Sequence, residues 1–277
     1  MLSLIRDPAG RLAPIKALCL ALCLYPLLLL ALRWGLHDLG PRPITEAIHR
    51  TGDWAVRFLV LTLAVTPARA VLDWPRVLLL RRMLGVTTAG YAILHLILYM
   101  LDQKWDLWVV GREIVLRIYL TIGFAALLGL IALAVTSTDG WQKKLRGRWK
   151  QLHSLIFPIT ILGLLHFYMQ SKSNVGDAVI YSGYVFWLLL WRRLSRPQQG
   201  KLIWLPAVAI GAATLTAIAE ALWYGLATRL SGWKVLAANL NIDADPRPAI
   251  LILLAGLALS ALAAIRKALR RQTRAVA

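Results

Sequence analysis

"HSLIFPITILGLLH", residues 153–166, opens and closes on a histidine and is almost entirely apolar between them. An imidazole in such surroundings is costly unless it has a partner or a task, so the solvent around this segment decides its meaning. The chain has 277 residues, 59% of them hydrophobic, a mean hydropathy of +0.63 and a formal net charge of +19. Crossing a hydrocarbon core of about 30 Å takes about 20 apolar residues in a helix, and runs of that length recur along the sequence. They are continuous and Leu/Ala-rich rather than alternating. Helices are therefore expected, not a barrel, because every backbone polar group in lipid must be bonded within its own segment. The fold class is all-α, a polytopic membrane helical bundle with spans at 13–34, 54–72, 83–101, 118–136, 153–169, 178–194, 202–226 and 248–265. Arg6, Arg11 and Lys16 precede the first run as in a signal peptide, but the run is long and lacks a small-x-small cleavage site before Arg33, so it reads as a span.

Basic loops stay in the cytoplasm. With the N-terminus inside, 21 of the 32 Lys and Arg residues fall on the inner face, including Arg81 and Arg82, the run Lys143 to Lys150, and Arg266 to Arg274. Asp38, Glu46, Asp53, Asp102, Asp106, Glu113, Asp177, Asp243 and Asp245 partly balance the rest on the outer face. Both termini are then cytoplasmic. The charge is divided among short inner loops with no basic domain to enter a groove, which excludes nucleic acid and points to anionic membrane lipid. The extramembrane stretches, roughly 20 residues at most, are too short for a nucleotide-binding domain, and no Gly-rich phosphate motif follows a strand. Cys19 and Cys23, one turn apart in the first span, read as small packing residues without metal-site spacing.

His95 in "YAILHLILYM" and His166 in "ILGLLHFYM" fall at similar depth, toward the outer ends of spans three and five. Two readings stand. Neutral imidazoles facing each other across a helix-lined slot can ligate one haem iron axially, or each is a core histidine bonded to a carbonyl or a threonine. His153 lies 13 residues before His166, about 20 Å along a helix and about 140° away in azimuth. It therefore marks a second depth, and Pro158 between the two is expected to alter the twist. Arg81, 14 residues before His95, lies within about 40° of the same face. It suits a haem propionate or a flavin phosphate, and reads equally as a positive-inside anchor. Glu220, in the seventh span, is either a functional intramembrane acid or an acid snorkelling to the interface.

The blocks "HRTGDWAVRFLVLTLAVTP", "RRMLGVTTAGYAILHLILYM", "LWVVGREIVLRIYLTIG" and "TSTDGWQKKLRGRWKQLHSLIFPITILGLLHFY" together resemble the haem-binding membrane subunit of the periplasmic protein-methionine-sulfoxide reductase system, the MsrQ family, within the ferric-reductase-like transmembrane superfamily. The likeness covers about residues 10–195. It implies a six-helix b-type cytochrome core in residues 1–200, holding one or two haems on His95, His153 and His166. It also implies FMN, and as electron donor a cytosolic flavin reductase or the quinol pool. The implied acceptor is a periplasmic molybdopterin-dependent methionine sulfoxide reductase, on which the catalysis lies. The chain itself would be an electron-transfer subunit of the bacterial inner membrane with no catalytic residue of its own. Span three carries one histidine where the superfamily often has two, which leaves the inner haem open. His49 also matches a family position. Residues 201–277, with two further spans and a basic tail, go beyond the family core.

On this reading Arg57, Arg112 and Arg117 are outer-side candidates for haem propionates, or else interfacial anchors. Two competitors remain. A stand-alone quinol or ferric-iron reductase would turn over its acceptor without a partner. A proton-coupled transporter relaying protons through the histidines would be colourless, and neither paired broken helices nor an inverted repeat is visible in the sequence.

Overall fold

The computed structural model describes residues 13–172, 174–228, 230–241 and 246–276. Arg6, Arg11, Asp243 and Asp245, which entered the charge balance, lie outside the described residues, as do the side chains of Arg271 and Arg274. Every regular element among the described residues is helical: α1 (Pro14–Gly35), α2 (Pro43–Val71), a 3-10 turn (Pro75–Leu80), α3 (Arg81–Asp102), α4 (Leu107–Leu116), α5 (Ile118–Val135), α6 (Asp139–Leu145), α7 (Gly147–Ser154), α8 (Ile156–Ser171), α9 (Gly176–Arg193), α10 (Arg196–Gln199), α11 (Trp204–Ala227), α12 (Gly232–Ala238) and α13 (Pro248–Val276). Seven helical stretches among the described residues are long and apolar enough to cross a membrane, α7 and α8 together forming one of them. The chain is a polytopic helical membrane protein. The remaining expected span, 178–194, forms α9, whose 18 residues include Asp177, Arg192 and Arg193 and so fall short on apolarity alone.

Two compact units share the chain, residues 1–62 with 79–170 and residues 63–78 with 171–277. The first has its core where α2, α3, α5 and α8 meet, on Leu59, Ala89, Ala126, Leu130, Leu133 and Ile159. α1 joins this core through Tyr91, whose hydroxyl donates to the Cys23 carbonyl at 2.8 Å. Cys19 and Cys23 are buried and unbridged. Buried threonines need no external partner, because Thr51, Thr62, Thr88 and Thr160 donate to carbonyls one turn back in their own helices. The outward face of α1 carries Leu18, Leu22, Leu28 and Leu32, all about three-fifths exposed, as lipid contact requires.

Five short helices, α4, α6, α7, α10 and α12, were not legible as such. α4 is capped by Asp106, which accepts from the Val109 N–H at 3.0 Å, and it leaves Leu107, Trp108, Val115 and Leu116 uncovered. That pattern suits a helix lying in the membrane interface. α6 starts at the Thr138 cap, is tied to α3 by the 2.6 Å Arg82–Asp139 ion pair, and turns into α7 at Arg146 with φ 48°. The break between α7 and α8 falls at Leu155, so residues 153–166 are two helical pieces, not one. Pro158 explains its position. In the first turn of α8 its missing N–H leaves no ladder bond unmade, whereas a helix running through from α7 would lack one. The expected change of azimuth is thus a break three residues before the proline.

In the second unit α9, α11 and α13 pack closely at glycines. A Cβ on Gly183 would lie 2.4 Å from Ile252 and 2.6 Å from Thr216, and one on Gly256 would lie 2.5 Å from Ala209. Arg192 donates to the Leu63 carbonyl at 2.6 Å, Arg266 lies over the Trp74 ring, and Arg270 pairs with Asp73. Gly256→Leu is expected to overpack this bundle at a cost of about 1–3 kcal/mol, read as a lowered thermal midpoint of the purified protein in detergent.

Candidate functional site

His95 on α3 and His166 on α8 come together in the first unit with ring centroids 6.2 Å apart and planes at 85°. Each ring is tethered in the same way. His95 Nδ1 lies 2.8 Å from the Ile48 carbonyl of α2, and His166 Nδ1 lies 2.8 Å from the Tyr119 carbonyl of α5. A carbonyl only accepts, so Nδ1 carries the proton in both rings and Nε2 keeps its lone pair. Among the described residues neither Nε2 has a hydrogen-bond partner, and both rings retain some accessible surface. The core-histidine reading accounts for Nδ1 and leaves Nε2 idle.

The fit to an axial pair is metrical. Metal–imidazole bonds of about 2 Å on each side put two ring centres on one ion about 6 Å apart, which the observed separation matches. Among the described residues no group of three or more His, Cys, Asp or Glu is assembled to hold a bare metal ion. Two imidazoles with four remaining equatorial positions are the donor set that a porphyrin completes. Carbonyls that accept from Nδ1 orient such ligands and raise their basicity.

His153, at the end of α7, is elsewhere. Its ring stacks on Trp149 with centroids 3.9 Å apart, and its Nε2 lies 3.2 Å from Thr136 Oγ1. That hydroxyl already donates to the Ala132 carbonyl at 2.7 Å, so it accepts here and Nε2 is the protonated nitrogen. Trp149 Nε1 donates to the Thr136 carbonyl at 2.9 Å, which fastens the cluster to the end of α5. Arg81 is close enough for its charge to act on His153. Among the described residues no hydrogen bond or ring contact joins His153 to Arg81 or to another histidine. His153 would have to give up the threonine bond, worth about 1 kcal/mol, to offer Nε2 to a metal.

The outer-side candidates divide. Arg117 pairs with Glu113 at 2.6 Å and reaches the Tyr119 hydroxyl at 3.2 Å, beside the carbonyl that holds His166. Arg57 lies over Trp54, with its guanidinium carbon 4.7 Å from the ring centroid, and Arg112 is exposed. His49 is exposed on α2 next to Ile48 and near enough to act on His95 through charge. Glu220, for which snorkelling was weighed, is instead buried at 3% exposure. It accepts from Asn239 and Arg247, each at 2.8 Å. The sequence reading also missed the two carbonyls and two glycines on which the ligand rings rest. A Cβ on Gly52 would lie 3.1 Å from His95, and one on Gly123 would lie 2.6 Å from His166. Their signal was a glycine 43 residues before each histidine.

The fold and the facing imidazoles define a class, the membrane component of a ferric-reductase-like system, and residues 51–164 match the family described as "Ferric reductase like transmembrane component". Curated relatives narrow it. The chain is 42% identical over 184 residues to the protein-methionine-sulfoxide reductase heme-binding subunit MsrQ of Xanthomonas euvesicatoria, covering 64% of this chain and 84% of that one. It is 41% identical over 191 residues to the same-named subunit of Rhodospirillum rubrum, covering 68% and 89%. The chain belongs to the MsrQ family. No solved structure matches it.

Removing the Glu220 carboxylate strands the Asn239 amide and the Arg247 guanidinium. Glu220→Ala is expected to cost about 1–3 kcal/mol, with Glu220→Gln losing less because its one amide oxygen still accepts from one of the two donors. The thermal midpoints of the two variants in detergent check the order.

Proposed function

We propose that this chain is the haem-binding membrane subunit of a methionine-sulfoxide reductase system, carrying electrons from a cytoplasmic-side donor to a periplasmic partner that reduces methionine sulfoxide in oxidised proteins. The observation that carries the reading is the His95–His166 pair at 6.2 Å with both Nδ1 atoms committed to carbonyls. The names printed for its relatives support the haem and the reductase system. A b-type haem bound there supplies reversible one-electron chemistry within the bilayer. His95 and His166 would hold that group through Nε2, with the Ile48 and Tyr119 carbonyls of α2 and α5 fixing the tautomer of each ring. Arg117 and Arg57 offer cations near the outer edge.

His153, Trp149 and Arg81 form the candidate for a second haem or for FMN, with Arg81 suited to a propionate or phosphate. Residues 1–200 are the electron-transfer domain and residues 201–277 an extension carrying two membrane helices. The distribution of Lys and Arg supports an inner-membrane topology with both termini in the cytoplasm. On that topology the basic segment of α6 and α7 faces the donor, a flavin reductase or quinol, and the acceptor is a periplasmic molybdopterin enzyme.

Reduced-minus-oxidised visible spectra with haem quantitation per chain test the reading. His95→Ala and His166→Ala should each remove the same haem. His153→Ala should leave that haem in place and remove at most a second one. Spectra of all three variants identical to the parent, or a haem-replete preparation without a Soret band, would overturn it.

A further inference from the structure

The two halves of the ligand site are copies of one device. In each, a histidine bonds through Nδ1 to a carbonyl 47 residues earlier, and one turn after that carbonyl stands a glycine against which the ring packs. Ile48, Gly52 and His95 are matched by Tyr119, Gly123 and His166, each displaced by the same 71 residues. The helix pair α2 and α3 is thereby repeated as α5 and α8. At Gly52 the nearest ring atoms, Cε1 and Nδ1 of His95, lie 3.1 Å from where a Cβ would be. At Gly123 Nδ1, Cε1 and Cγ of His166 lie at 2.6, 2.8 and 2.9 Å. A ring can swing about its Nδ1–H···O bond until it meets a neighbour. In both halves one such neighbour is the bare backbone of a glycine, and the two planes lie at 85°.

We propose that Gly52 and Gly123 are positioning residues that set the orientation of the two axial imidazoles and hold their planes close to perpendicular. The proposal rests on the haem reading above and adds to it the angle between the ligands and the residues that impose it. Perpendicular axial planes leave the two iron d orbitals that take part in ligand π-bonding nearly equal in energy, whereas parallel planes split them. The ferric low-spin haem then has a strongly anisotropic electron paramagnetic resonance signal with an unusually large highest g value, and its reduction potential moves with the angle.

The test uses the full-length chain with haem bound, and only the signal that disappears in His95→Ala is assigned to this pair. The parent is expected to show the highly anisotropic signal. Gly52→Ala, whose methyl needs a shift of only a few tenths of an ångström, should keep one haem at this site while its highest g value falls and its midpoint potential shifts. Gly123→Ala, with a contact no ring can tolerate unmoved, should shift both further or lose the haem. Gly90→Ala, on α3 with open space around it, should match the parent in both. If Gly123→Ala does not accumulate, Gly52→Ala decides alone. A parent signal of the ordinary rhombic type overturns the inference, as does a Gly52→Ala variant with parental g values and potential. A His95→Ala variant that loses no signal overturns the haem reading instead.

Discussion

The site depends on one constraint, that an imidazole held among apolar helices must give its N–H to something while keeping its other nitrogen free. A backbone carbonyl is the acceptor that achieves this at least cost in such a place. It brings no charge, cannot donate, and is already fixed by its helix. Ile48 and Tyr119 supply that carbonyl from α2 and α5. The remainder of the first unit follows from bringing those two helices against α3 and α8. Leu59, Ala89, Ala126, Leu130 and Ile159 fill the space between all four, and Thr62 and Thr160 on α2 and α8 satisfy themselves along their own helices.

The cluster around His153 obeys a different logic. Its ring is stacked, its Nε2 donates to a hydroxyl, and a cation stands near it. That is a polar margin where two short basic helices turn into the bundle, close to water and headgroups. The difference between the two sites is one of protein supply: two histidines tethered alike at one, and one histidine stacked on a tryptophan at the other.

Long helices were legible because the membrane imposes length and continuous apolarity together, and observed and expected ends agree to within a few residues for most spans. α13 runs to Val276, eleven residues past its expected end, and α2 begins at Pro43, eleven residues before its expected start. Its first turns carry Glu46, His49 and Arg50, whose polarity reads as loop although they cap a continuous helix. The histidines were legible because they are rare in such runs. Their anchors were not, since a carbonyl is present at every residue and has no letter of its own. Glu220 was uncertain for a related reason, as its partners Asn239 and Arg247 lie 19 and 27 residues away, and spacing in the sequence carried no sign of their convergence.

The repeat offers a physical reason for the choice of glycine. Two helix pairs with the same carbonyl-to-histidine separation bring their ring centroids to 6.2 Å, and in each pair the tethering helix sets a glycine against the ring. Alanine is the better helix former at such positions by about 1 kcal/mol. Glycine at Gly52 and Gly123 therefore weakens its own helix in return for ring clearance. That exchange makes sense only if ring angle matters to the bound group. A histidine serving merely as a core residue could turn away from an alanine at little cost, whereas a ligand aimed at a shared ion cannot.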